Sequence, residues 1–290
     1  MPTVPPAQPE LPRTESHQVR EVAESFGAEA RRYDRARPGY PSALVDRIVA
    51  ASPGRDVLDV GCGTGIAGRQ FQAAGCVVLG VDPDARMADL ARERGLEVEV
   101  ATFEAWDPAG RAFDAVVAGQ AWHWIDPVAG AARAASALRP GGRFAVFWNV
   151  FEPPAGLGQA FAEAYRRVLP DLPAGLWDRP LLGLYETMGA KAADGMRQAG
   201  AFGEPEQWQF AWDRAYTSDE WLEQVPTFGG FSRIPADQQE QILAGIGAAI
   251  DAVGGGFTVG FTTLAVTAAR CASLGASLGA PPAAPPAGRA

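Results

Sequence analysis

The run from Val57 to Gly65 (Val-Leu-Asp-Val-Gly-Cys-Gly-Thr-Gly) combines residue types and spacing that bind ligands. A stretch of strand character, Val57–Val60, enters a loop with glycine at every second position, and helical spacing resumes at Ile66, Ala67 and Phe71. Glycine lets backbone approach a ligand and take dihedrals closed to other residues, and a helix N-terminus behind such a loop favours anionic groups. The loop reads in two registers. Gly63, Gly65 and Gly68 fit G-x-G-x-x-G, the dinucleotide pattern of NAD or FAD. Gly61, Gly63 and Gly65 fit G-x-G-x-G with an acid, Asp59, just before it. Either register expects a carboxylate roughly 20 residues on to accept the ribose hydroxyls. Asp82, closing the apolar run Val77–Val81, meets that expectation. An adenosine-containing ligand is implied.

Other reactive groups are few. The histidines are His17, near the start, and His123, between Trp122 and Trp124. His123 is the one histidine beside a strand end and therefore the candidate general base; its other reading is a packed side chain with core tryptophans on both sides. Arg31, Arg32, Arg35 and Arg37 form a basic cluster, read as a solvated helix face or as holding one anion-binding member. Eight tryptophans are many for 290 residues. Trp148, Trp177, Trp208, Trp212, Trp221, Phe228 and Phe231 read either as core or as walls for a flat apolar ligand. Three cysteines without C-x-x-C spacing suggest neither a disulfide scaffold nor a zinc site. A net charge of −9 argues against a nucleic-acid partner. No apolar run of about 20 residues or basic-then-apolar leader is present, so a soluble, cytoplasmic protein is expected.

These residues need a scaffold. Apolar runs and helical spacing predict strand 57–60, helix 64–73, strand 77–81, helix 84–94, strands 97–100 and 114–118, helix 127–138 and strand 143–148. Upstream, 22–36 reads as a helix, and Pro41-Ser42 opens another through Val49. This alternation predicts a parallel sheet with crossover helices, whose ligands bind outside the strand carboxyl ends. Helices 157–169, 178–199, 217–224 and 236–253 and strands 206–212 and 257–268 follow. The expected organisation is a Pro-rich disordered tail (1–20), lid helices and nucleotide-binding core (21–150), a cap with the last two strands (151–272) and a low-complexity tail (273–290).

Val57–Gly65, Val81-Asp82-Pro83 and Met87 resemble the first two motifs of class I S-adenosyl-L-methionine-dependent methyltransferases. Gln120-Ala121-Trp122-His123-Trp124-Ile125-Asp126 and Leu138-Arg139-Pro140-Gly141-Gly142-Arg143 match segments of a small-molecule, trans-aconitate-like or natural-product branch. Ser25-Phe26-Gly27, Tyr33 and Arg37–Pro41 resemble its N-terminal lid. The resemblance is close over about 22–150 and looser to about 270. It implies an α/β, Rossmann-like, doubly wound seven-stranded sheet with an antiparallel last strand and a helical substrate cap.

The implied cofactor is S-adenosyl-L-methionine, leaving as S-adenosyl-L-homocysteine. Its ammonium would meet the Gly61 carbonyl and the Gly63 region, its carboxylate Arg37 or Tyr33, its ribose Asp82, and its adenine Pro83, Met87, Thr102 and Phe103. Thr102 stands where many relatives have a carboxylate. Gln120 and Ala121 complete the cofactor set. His123 and Tyr33 are the candidate catalytic residues; Trp122, Trp148, Trp212 and Phe228 are the candidate contacts to a small-molecule acceptor, with Glu152 and Asp213 as partners for an amine. The acceptor is expected to be an aromatic (phenolic or indole-like) or carboxylate metabolite of secondary metabolism. No metal or membrane partner is expected, and a homodimer stays open. Two competing readings are a nicotinamide-dependent oxidoreductase, for which no Tyr-x-x-x-Lys pair exists and Lys191 is the only lysine, and a non-catalytic cofactor-binding protein.

Overall fold

The computed structural model describes residues 27, 29–170 and 181–272. His17, Ser25, Phe26, Trp177 and both predicted tails lie outside the described residues. Two helices, α1 (Ala30–Ala36) and α2 (Ser42–Ala50), precede β1 (Asp56–Val60), α3 (Ile66–Ala73), β2 (Val77–Asp82), α4 (Ala85–Glu93), β3 (Glu97–Val100) and β4 (Phe113–Gly119). A single 3₁₀ turn, Trp122–Trp124, leads to α5 (Pro127–Ala137) and β5 (Leu138–Glu152). The remainder is α6 (Ala155–Val168), α7 (Leu181–Ala199), β6 (Glu206–Thr217), α8 (Ser218–Gln224), α9 (Ala236–Asp251) and β7 (Gly256–Ala269). The sheet runs β3-β2-β1-β4-β5-β7-β6. β1 to β5 are parallel, and β7 is antiparallel to both β5 and β6.

Period-two alternation divides the buried strand residues between two cores. Leu58 and Val60, Val116 and Ala118, and Phe144, Val146 and Trp148 face α5 and α7, whose Ala131, Ala134, Ala192 and Met196 complete one core. Val57, Ala115, Val117, Ala145 and Phe147 point the other way, toward Leu44 and Ile48 of α2, Phe71 of α3 and Ala88 of α4. Both sheet faces are therefore covered, which suits the apolar residues that β1 and β4 turn to either side. A third core, around Phe161, Tyr216, Trp221, Ile242, Ile246 and Phe261, builds the cap.

Helix starts follow capping chemistry. Asp84 accepts from the Arg86 N–H, and Asp126 from those of Val128 and Ala129 with Pro127 at the first turn. Thr217 and Glu220 form a reciprocal capping box at α8. Several boundaries differ from the sequence expectation, and two of the shifts have a clear cause in strand pairing. Helix α5 stops at Ala137, and Leu138 is extended because it pairs with Phe113 before a register shift carries the chain to the Ala115–Arg143 pairing. β6 runs to Thr217 rather than Trp212: β7 supplies partners along the whole length, so Asp213 and Arg214 stay in the ladder. Among the described residues no helix is long and apolar enough to cross a membrane.

Candidate cofactor and acceptor site

The glycine corner is built by backbone that only glycine adopts easily. Gly61, Gly63 and Gly65 have φ of +64°, +54° and +84°. The Gly61 N–H donates to the Val81 carbonyl at 2.8 Å, tying the loop to the end of β2. A Cβ on Gly61 would lie 2.5 Å from the Ala121 Cβ, whereas one on Gly63 would meet nothing within 4 Å. The first glycine therefore fits loop against protein, and the second keeps its backbone open to the cavity beside it.

Asp82, only 7% exposed, stands at that cavity. Its Oδ2 accepts the Gly63 N–H at 2.8 Å and its Oδ1 the Asp84 N–H at 2.9 Å. Each oxygen keeps a second lone pair for a ligand hydroxyl. Burial raises its pKa to about 6, against the lowering effect of those two N–H groups. Asp59 is 1% exposed and neither carboxylate oxygen has a partner at hydrogen-bonding geometry. Burial raises its pKa to about 7; the nearby Gly68 N–H offsets part of this and the charge of Asp82 adds to it.

The cavity runs along the carboxyl ends of β1, β2 and β4 and is lined by Tyr33, Arg37, Gly61, Gly63, Asp82, Pro83, Met87, Thr102, Phe103, Gln120 and Ala121. All eleven predicted cofactor residues thus share one chamber. Gln120 takes φ +55°, its N–H held by the Phe147 carbonyl and its side-chain amide by the Asn149 carbonyl. Arg37 lies over the Tyr33 and Phe228 rings and donates to the Thr227 carbonyl, while its Nε is buried without a partner. Glu104, two residues beyond Thr102, brings an acid to the same rim.

A family described as "Methyltransferase domain" matches residues 57–142, the segment that builds this corner. It is over this segment that the chain is similar to the class I S-adenosylmethionine-dependent methyltransferases. Over 151 residues the chain is 36% identical to an uncharacterized methyltransferase of Mycobacterium bovis, covering 51% of this chain and 61% of that protein. It is 28% identical over 165 residues to the demethylmenaquinone methyltransferase of Tropheryma whipplei, covering 52% and 68%. The match thus spans 61% of the length of the mycobacterial relative. A structure from Anaeromyxobacter dehalogenans, assigned as a type II methyltransferase, shares the fold with a TM-score of 0.58 at 24% identity, over 80% of this chain and 97% of that one.

The residues fit the family's cofactor. Two unpartnered carboxylate oxygens on Asp59, the free lone pairs of Asp82 and the open space over Gly63 are what a ligand bearing an ammonium and a ribose diol would occupy.

The predicted acceptor contacts and the base lie outside the lining of the cavity. Trp122 and Trp148 are core residues of the α5–α7 side and do not line the cavity. His123 is also absent from its lining; its Nδ1 accepts the Trp148 Nε1–H at 3.2 Å, which puts the ring proton on Nε2. Burial lowers its pKa to about 4. Trp124 and Ile125 line the cavity from this segment. Trp212 and Phe228 stand one layer back: Trp212 stacks on Phe261 at 4.3 Å and Phe228 on Phe151 at 5.2 Å. Phe151 and Phe261 are the wall, with Asn149, Tyr40 and Gln224. The Asp59 position was legible in the loop motif, and Asn149 as a polar residue near the end of an apolar strand. Phe151, Phe261 and Gln224 carry no local signal.

Proposed function

We propose that this methyltransferase transfers the methyl group of S-adenosyl-L-methionine to a small aromatic acceptor, phenolic or indole-like, of the kind modified in secondary metabolism. The observation that carries the reading is the continuity of one cavity from the Asp59–Gly61–Asp82 corner to the flat apolar wall of Phe151, Phe261 and Trp124. Such a wall favours an aromatic over a carboxylate acceptor. Two relatives point the same way by name: the demethylmenaquinone methyltransferase above and a ubiquinone biosynthesis O-methyltransferase of Bradyrhizobium, 38% identical over 100 residues.

When bound, the cofactor supplies an electrophilic methyl group on a sulfonium. Asp82 accepts the ribose hydroxyls, Asp59 and the Gly61 carbonyl face the ammonium, and Arg37 with Tyr33 holds the carboxylate. Pro83, Met87 and Phe103 flank the adenine. The apolar wall excludes water and aligns the acceptor, and orientation of this kind is worth on the order of 7–11 kcal/mol. His123, neutral and bonded to Trp148, acts as a positioning residue beneath the Gln120–Ala121 turn.

Calorimetric titration with S-adenosylhomocysteine and with NAD, followed by incubation with methyl-labelled cofactor and a set of phenols and indoles, tests the proposal. Binding of the homocysteine nucleoside with label transfer to an aromatic is the expected result. Binding of NAD instead, or of the nucleoside with label transfer only to aliphatic carboxylates, overturns it.

A further inference from the structure

At the acceptor end of the cavity two polar side chains, Asn149 and Thr263, hold each other in place. Asn149 Oδ1 accepts the Thr263 hydroxyl at 2.6 Å, and Asn149 Nδ2 donates to the Gly39 carbonyl at 2.9 Å. Thr263 Oγ1 in turn accepts the Trp212 Nε1–H at 2.8 Å. Gln224 is different. It lines the cavity, is 1% exposed, and its Oε1 is buried with no hydrogen-bond partner. The Tyr216 hydroxyl lies beside this amide, and it too lacks a partner at hydrogen-bond geometry.

Gln224 is held firmly. It is the last residue of α8, whose start is fixed by the Thr217–Glu220 capping box and whose Trp221 is fully buried. Its own carbonyl accepts the Thr227 hydroxyl at 2.6 Å. A buried amide oxygen without a donor weakens a fold, and a ligand O–H or N–H removes that weakness.

We infer that Gln224 accepts a hydrogen bond from the methyl acceptor, so that the acceptor is a flat aromatic bearing a hydroxyl or a ring N–H. Phe151 and Phe261 grip the ring faces, and Gln224 reads the polar edge. Sites that hydrogen-bond a substrate O–H or N–H discriminate strongly against analogues lacking it, because the protein group is then left unpaired. The inference rests on the methyltransferase reading above.

The test uses the full chain saturated with S-adenosylhomocysteine and two near-isosteric probe pairs, phenol against fluorobenzene and indole against benzofuran, titrated by calorimetry. At least one donor-bearing probe should bind about tenfold more tightly than its partner. In Gln224→Met that preference should vanish while S-adenosylhomocysteine affinity stays within about twofold. If no donor-bearing probe outcompetes its partner, or the preference survives in Gln224→Met, the inference is overturned. A wild-type protein without the preference overturns the inference even where Gln224→Met does not fold, and Gln224→Glu, which keeps an acceptor oxygen, should retain the preference. Failure to bind S-adenosylhomocysteine at all would remove the proposed function itself, whereas nucleoside binding without donor preference removes only the role of Gln224.

Discussion

Asp59 and Asp82 face one chamber with pKa values raised by burial to about 7 and about 6. Their ionised forms suit an ammonium and a ribose diol, so S-adenosylhomocysteine affinity should fall as pH drops from 7 to 5, by about tenfold if one site governs. Folding has the opposite sign. The native state keeps protons on these carboxyls that the unfolded chain releases, so their contribution to stability declines as pH rises from about 4 toward 7 and is level above that. Calorimetry across this range tests the affinity limb, and Asp82→Ala should lose about tenfold or more at pH 7, in line with about 1.5–3 kcal/mol for a charged hydrogen bond. An unchanged affinity would place the ribose elsewhere. His123 yields the converse expectation. With Nδ1 engaged by Trp148, His123→Gln should keep kcat within about threefold, while loss of a true general base costs about 10²–10⁴-fold.

At the scale of elements, the β1–α3 loop and the turn after β4 are one fitted unit. Gly61→Ala combines a positive φ with a Cβ 2.5 Å from that of Ala121. It should lower stability by about 1–3 kcal/mol in chemical denaturation. Gly63→Ala has the same backbone problem but nothing within 4 Å of the new methyl. Its stability loss should be smaller, about 1 kcal/mol, with the larger effect on S-adenosylhomocysteine affinity. Equal effects of the two substitutions on binding and stability would contradict this division of roles. The loop was legible because its determinants are local: a buried strand, alternate glycines and the first turn of a helix lie within a dozen residues.

Across the whole molecule, the N-terminal helix α1 and the unit built by α6, α8 and α9, the expected lid and cap, meet beside the cavity. Arg35 pairs with Glu223 and Arg37 reaches the Thr227 carbonyl, so α1 rests on α8 and the turn that follows it. Exposed pairs of this kind contribute about 0–1 kcal/mol, and the cap depends instead on its apolar core. Trp221, fully buried between Phe161, Tyr216, Phe228 and Phe257, is the centre of that core. Trp221→Ala should destabilise the protein by about 3–5 kcal/mol in urea unfolding and displace Gln224, three residues on. A loss under about 1 kcal/mol would mean the cap is not organised around this side chain.

The amino-acid order settles the alternating parallel half of the sheet, the glycine corner, Asp82 and the strand-end positions from Thr102 to Ala121. Each depends on contacts short in sequence, or on the rule that ligands gather at strand carboxyl ends. The acceptor wall obeys no such rule. Antiparallel pairing puts Phe151 opposite Phe261 and Asn149 opposite Thr263, and sets Trp212 across from Phe261 on the other side. Those registers join residues about fifty to more than a hundred positions apart, and a shift of one would turn every side chain to the other face. Hence aromatic type alone suggested Trp122, Trp148, Trp212 and Phe228, while strand register and the docking of α8 brought Phe151, Phe261 and Gln224 to the cavity.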